Sequence, residues 1–191
     1  MRKIVLGITG ASGAIYARAT IDALVAARAK QPMALAAVLS STAPEVWAHE
    51  LGGDVREWLA ARDVTVFAGR DYSAPFASGS ARWDSMAIVP CSMSTVAKVA
   101  HGISDDLLSR AADVMLKERR RLVLVARETP LSAIHLENML SVTRAGALIL
   151  PATPSFYGRP TTVEAVVNTV VARILDHLDV EHDAARWGDE A

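Results

Sequence analysis

The chain has 191 residues, 51% hydrophobic and 21% charged, with a formal net charge of −1, so it can fill a large core and offers no electrostatic basis for nucleic-acid binding. A single cysteine, Cys91, excludes a disulfide framework or cysteine-cluster metal site, and the five histidines show no ligand spacing, so no metal is expected. No run approaches the roughly 20 apolar residues of a membrane span, and Met1-Arg2-Lys3 leads directly into an apolar run too short for a signal peptide, so a soluble cytoplasmic protein with no membrane partner is expected.

Apolar runs and amphipathic segments alternate along the chain. Residues 4–8 form a continuous apolar strand, as a buried parallel strand requires. The run Gly7-Ile8-Thr9-Gly10-Ala11-Ser12-Gly13 follows, then an alanine-rich helix over 14–29. This is a strand, a tight turn and a helix N-terminus, where free N–H groups and the positive dipole end suit a phosphate. The spacing G-x-x-G-x-x-G is neither the dinucleotide G-x-G-x-x-G nor a Walker loop. The glycines could also serve the turn alone, and Ser12 could be a plain N-cap.

A second strand is expected over 33–39 and a helix over 44–51, capped by Ser41 or Thr42. A short helix (55–61) and a short strand (64–67) follow. Residues 69–82 lack periodicity, are rich in small and turn residues, and read as a long loop of the kind that often carries function. A strand over 85–89 ends at Pro90. Helices are expected over 94–100 and 107–119, a strand over 122–126, a helix over 132–145, a strand over 147–150 and a long helix over 162–178. Residues 179–191 read as a polar tail that Trp187 could anchor. The pattern predicts one α/β domain over 1–191, a three-layer Rossmann-like sandwich with a mostly parallel sheet. The high apolar fraction points to further burial between subunits.

Ligands in such sheets sit beyond the carboxyl ends of the strands. Five of these ends carry small, polar or charged residues: Gly10–Ser12, Ser40-Ser41, Cys91–Thr95, Arg127-Glu128 and Pro151–Tyr157. Capping alone would occupy one of the three hydroxyls of Ser92, Ser94 and Thr95. Cys91 reads as a small core residue, with no histidine near it in sequence. Arg110 and Lys117 lie seven apart on one helix and can point the same way. Arg173, set among apolar residues, is either a salt-bridge partner or a phosphate contact. Glu128 could orient Arg127 or move a proton. Tyr157 could donate to an anion or simply pack, Ser132 reads as a cap, and Glu50 reads as a solvated carboxylate.

Together these segments resemble the UbiX-type flavin prenyltransferases. The resemblance runs in unbroken order through Gly7–Ala14, Ala74-Pro75, Ala77–Ser80, Pro90–Ser92, Arg110–Asp113, Lys117–Arg120, Arg127–Pro130, His135–Met139, Leu150–Ala152, Phe156-Tyr157 and Val171–Leu175. It implies a flavoprotein-type homo-oligomer, commonly a dodecamer. It implies that reduced FMN receives a dimethylallyl group from dimethylallyl monophosphate, and that the prenylated FMN passes to a UbiD-type decarboxylase. By position, Gly10, Ala11, Ser12, Ser40, Ser92, Met93, Ser94, Thr95 and Arg127 would hold FMN. Arg110, Lys117, Glu128, Tyr157 and Arg173 would surround the prenyl phosphate, some from a neighbouring subunit, and Ser12 and Glu50 would assist proton movement. Tyr72 stands where relatives often carry Trp, and keeps a π face for the prenyl pocket. Met93-Ser94 replaces smaller residues in a segment that offers mainly backbone contacts.

Two other functions compete. A flavin-dependent cysteine-type decarboxylase would carry an early catalytic histidine and an Asn-rich cofactor loop; here only His49 precedes Cys91–Thr95. A non-catalytic FMN carrier would bind flavin without turnover.

Overall fold

In the computed structural model, residues 1–184 and Gly188 are described; Trp187, expected as an anchor, lies outside the described residues. Six strands form one parallel sheet: β1 (Arg2–Ile8), β2 (Met33–Leu39), β3 (Thr65–Phe67), β4 (Ser85–Cys91), β5 (Arg121–Ala126) and β6 (Leu148–Ile149). Their order is β3-β2-β1-β4-β5-β6, every neighbouring pair parallel. The strand order therefore reverses between β1 and β4. In a doubly wound sheet that is where the crevice for a ligand opens.

Helices cover both faces. Helix α1 (Ala14–Ala27), α2 (Ala43–Leu51), α3 (Val55–Ala60) and α7 (Val163–Leu178) pack on one face, around Ile4, Leu6, Ile8 and Val125. Helix α4 (Met93–Ala100), α5 (Leu107–Lys117) and α6 (Ala133–Arg144) pack on the other, around Val5, Ile88 and Leu124. Alternation along each strand sends its side chains into both clusters, which is why the strands read as unbroken apolar runs.

Three expectations shift. Strand β4 does not stop at Val89; it continues through Pro90 to Cys91, with a register irregularity between Ile88 and Cys91. A proline lacks the ladder donor and is accommodated where the pairing is irregular. The 69–82 loop contains a 3₁₀ turn, Pro75–Ala77, and the fully buried Phe76 packs edge-on against Phe67 and Trp83. The start of the polar tail is docked: Val180 is buried and the Asp179 carboxylate pairs with Arg2.

Candidate functional site at the carboxyl edge

Thr9 is the last residue before the glycine turn and is buried. Its hydroxyl donates to the Pro90 carbonyl (2.7 Å) and accepts from the Ser92 N–H (3.0 Å) and the Ala11 N–H (3.4 Å). The Thr9 N–H also donates to Pro90 (3.3 Å). One side chain thus ties the loops after β1 and β4 together across the point where the strand order reverses. It had no place among the candidates taken from sequence. The available signal was a hydroxyl at the carboxyl end of an otherwise apolar strand.

Gly10 sits so close to α2 that a β-carbon would fall on the Thr42 hydroxyl. Thr42, rather than Ser41, is the residue before α2, but its side chain makes no cap bond. It lies 3.3 Å from the Ser40 hydroxyl instead. Ser12 is not the N-cap of α1; Gly13 is, in a left-handed conformation (φ 115°) that favours glycine. The cap is supplied from α2. Glu50 Oε2 accepts from the Gly13 N–H (2.9 Å) and the Ala14 N–H (2.7 Å), and its carboxylate also bonds to the Ser12 side chain. Glu50 is therefore no idle surface carboxylate, although solvent still reaches it. Burial works to raise its pKa, but the Ser12 hydroxyl, the two backbone donors and the Arg127 charge outweigh it and hold the carboxyl below its ordinary range.

Arg127, just beyond β5, donates from Nε to the Ser12 carbonyl (2.8 Å), and so fixes the turn from a third strand. Its neighbour Glu128 does not orient it: Glu128 Oε1 accepts from the Thr129 N–H (3.0 Å). On the β4 loop, the Ser92 hydroxyl caps α4 and lies 3.0 Å from both Ser94 Oγ and Thr95 Oγ1. Ser94 is exposed, while Met93 and Thr95 are buried. Cys91 is fully buried and its thiol pKa is pushed up by burial, so it is a core residue. Ser132 caps α6 as expected.

These elements give one edge a coherent donor set: the N–H groups of Gly10 and Ser12, the hydroxyls of Ser12, Ser40, Ser92 and Ser94, and the guanidinium of Arg127. Polyol oxygens, a phosphate and a polar ring rim all match that chemistry.

The remaining candidates do not gather in one chain. Arg110 donates to the Ala77 carbonyl (3.1 Å) and pairs with Asp113 (3.1 Å) on the face that carries α5. Lys117 ends that helix and pairs with Glu118. It lies just before β5, whose six residues span about 20 Å, so it stands at the amino edge, far from Arg127. Arg173 is on α7, across the sheet, paired with Asp176 (2.6 Å). It lies ten residues, about 15 Å, down that helix from its start. Tyr157 is 81% exposed and Tyr72 48% exposed on separate loops. An apolar surface accompanies them: Ile134, Leu136 and Leu140 on α6, with Phe156 and Val163, are all at least half exposed.

Residues 1–175 match the family model described as Flavoprotein. A protein named flavin prenyltransferase UbiX from Alkalihalophilus pseudofirmus is 45% identical over 195 residues, covering 96% of this chain and 95% of its own length. The structure of AnUbiX (PadA1) in complex with FMN and dimethylallyl pyrophosphate is similar at a TM-score of 0.86 and 47% identity, covering 94% of this chain and 93% of that one. A dodecameric FMN-dependent UbiX-like decarboxylase from Escherichia coli O157:H7 is similar at 0.89 and 43%, with 96% and 97% covered.

Proposed function

The chain belongs to the UbiX-type flavin prenyltransferases, and on that footing we propose that it transfers a dimethylallyl group from dimethylallyl monophosphate to reduced FMN. The prenylated flavin then serves a UbiD-type decarboxylase. The observation that carries the reading is the joining of the β1, β4 and β5 loops by Thr9 and Arg127 into one donor-rich edge.

That edge suits FMN. Gly10, Ala11 and Ser12 would approach it with backbone donors, Ser40, Ser92, Met93, Ser94 and Thr95 would line it, and Arg127 has guanidinium N–H groups beyond the one bonded to Ser12. Bound reduced flavin supplies N5 and C6, the atoms to which the dimethylallyl group is joined. The chain's task is to hold the leaving phosphate and handle protons. Arg110, Lys117 and Arg173 place fixed cations on the phosphate as charge develops, and Tyr157 adds a donor. Glu128 exchanges a proton with the departing phosphate. Glu50, held ionised, accepts a proton through the Ser12 hydroxyl during ring closure. Tyr72 lines the prenyl pocket.

Because one chain separates Lys117 and Arg173 from the flavin edge, neighbouring copies supply them. The exposed apolar residues of α6 and the 156–163 segment are suited to that contact, and a dodecamer is the proposed assembly. Residues 1–191 act as a single flavoprotein domain. No helix among the described residues is long and apolar enough to cross a membrane; we place the protein in the cytoplasm.

Anaerobic mixing with reduced FMN and dimethylallyl monophosphate, followed by flavin mass spectrometry, tests the reaction. A flavin heavier by one dimethylallyl group is expected. Flavin bound but unchanged in mass would contradict the transferase and favour a carrier.

A further inference from the structure

A hollow of about 770 Å³ lies away from the flavin edge, at the amino ends of β4, β5 and β6. It is lined by four arginines, Arg82, Arg119, Arg120 and Arg121, against a single carboxylate, Asp84. In a chain of net charge −1 this is a strong local excess of cations.

Two of the four are already committed. Arg120 donates from its two terminal nitrogens to the Gly79 (2.6 Å) and Ala81 (3.4 Å) carbonyls and lies 3.9 Å from the Glu118 carboxylate, and Arg121 donates from one nitrogen to the His177 carbonyl (2.9 Å). Arg82 and Arg119 have no acid partner among the described residues. Asp84 is turned to the Lys3 N–H (2.7 Å). His177, which also lines the hollow, has its imidazole held below its ordinary range, first by burial and then by the charges of Arg173 and Arg121, with Asp176 opposing.

Arg119 is placed there at a cost. Helix α5 ends in a Schellman turn: the Arg120 N–H donates to Met115 (2.8 Å) and the Arg119 N–H to Leu116 (3.0 Å). The residue at Arg119 must then be left-handed, and its φ is +55°. Glycine suits that position without strain, whereas a side chain there is disfavoured. The sequence puts a guanidinium where stability alone would select glycine.

We infer that this hollow is a binding site for a small phosphate-bearing anion, distinct from the flavin edge and from the Arg110–Lys117 pair. Two guanidinium forks with no acid partner among the described residues, backed by Arg121 with one nitrogen engaged, match a group that carries more than one negative charge and several oxygen faces.

Isothermal titration of the FMN-loaded oligomer with inorganic pyrophosphate tests this, in wild type, Arg82→Gln, Arg119→Gly and Lys117→Ala. Besides binding at the prenyl-phosphate site, a second saturable binding event is expected in wild type and is retained in Lys117→Ala. Each of Arg82→Gln and Arg119→Gly should weaken it about tenfold, the weight of one charge-assisted contact. Arg119→Gly should meanwhile melt no lower than wild type. An Arg18→Gln/Arg70→Gln pair, outside the hollow, controls for net charge and should leave binding unchanged. A second binding event that survives both hollow variants, or that disappears with Lys117 alone, or equal weakening by the control pair, would overturn the inference. So would the absence of a second saturable event. None of these outcomes bears on prenyl transfer, which is measured separately by flavin mass.

Discussion

The two edges of this sheet are built from opposite materials. At the carboxyl edge, hydroxyls, backbone N–H groups and one ionised carboxylate are locked together by Thr9, Arg127 and Glu50. At the amino edge, four arginines line a hollow against the single carboxylate of Asp84. The first edge is organised within the chain: its loops come from three strands, and each is fixed by a bond to another. The second is less self-contained: Arg82 and Arg119 have no acid partner among the described residues. The difference shows how a parallel sheet divides labour. Converging loops at one end make a donor-rich edge, and on the proposed reading helix ends at the other carry charge to a neighbour's site.

If that division is right, removing a cation should hurt chemistry without hurting flavin binding. Lys117→Ala should lower the prenyl-transfer rate by about 10²–10³-fold, the scale for losing one charge-stabilising donor, while flavin affinity measured by fluorescence stays within about twofold. An equal loss of both would break the comparison.

Thr9→Val tests the opposite edge. Losing the hydroxyl leaves the Ser92 and Ala11 donors unsatisfied, at about 1–3 kcal/mol. Flavin affinity should fall about tenfold and thermal stability should drop, with Thr9→Ser restoring most of both. A stability loss with unchanged flavin affinity would reduce Thr9 to a core residue.

Glu50→Gln should cost about 1 kcal/mol of stability at neutral pH through the weakened α1 cap. The pH dependence has a definite sign. The native carboxyl lies below its ordinary value, so its contribution is complete above the unfolded pKa and is lost as pH falls through the native one. Wild type should therefore lose its advantage over Glu50→Gln on acidification, a trend that denaturant melts across that range can follow.

Much of the fold was legible because buried parallel strands leave continuous apolar runs, and the strand ends announced themselves by small and polar residues. What escaped the sequence was long-range. Glu50 caps a helix that begins 36 residues earlier, and no local rule links the two. Thr9 read as one more residue of the glycine turn, and nothing local pointed to its partners on the loop after β4. Pro90 carries the signal of a strand end, yet β4 runs on through it. The 69–82 loop holds two aromatics, Tyr72 and Phe76, and its lack of periodicity gave no sign that Phe76 is the one buried. Seven-residue spacing put Arg110 and Lys117 on one side of a helix, but spacing says nothing of which edge each end of that helix reaches.

The account turns on a catalytic site completed by neighbouring copies. Co-assembling a Lys117→Ala chain with a Ser12→Ala/Glu50→Gln chain tests this through the prenylated flavin formed. Each parent alone should be inactive, and the mixed oligomer should regain about a quarter of wild-type turnover, the share of sites that pair an intact flavin edge with an intact neighbour. A mixed oligomer as inactive as its parents would contradict it.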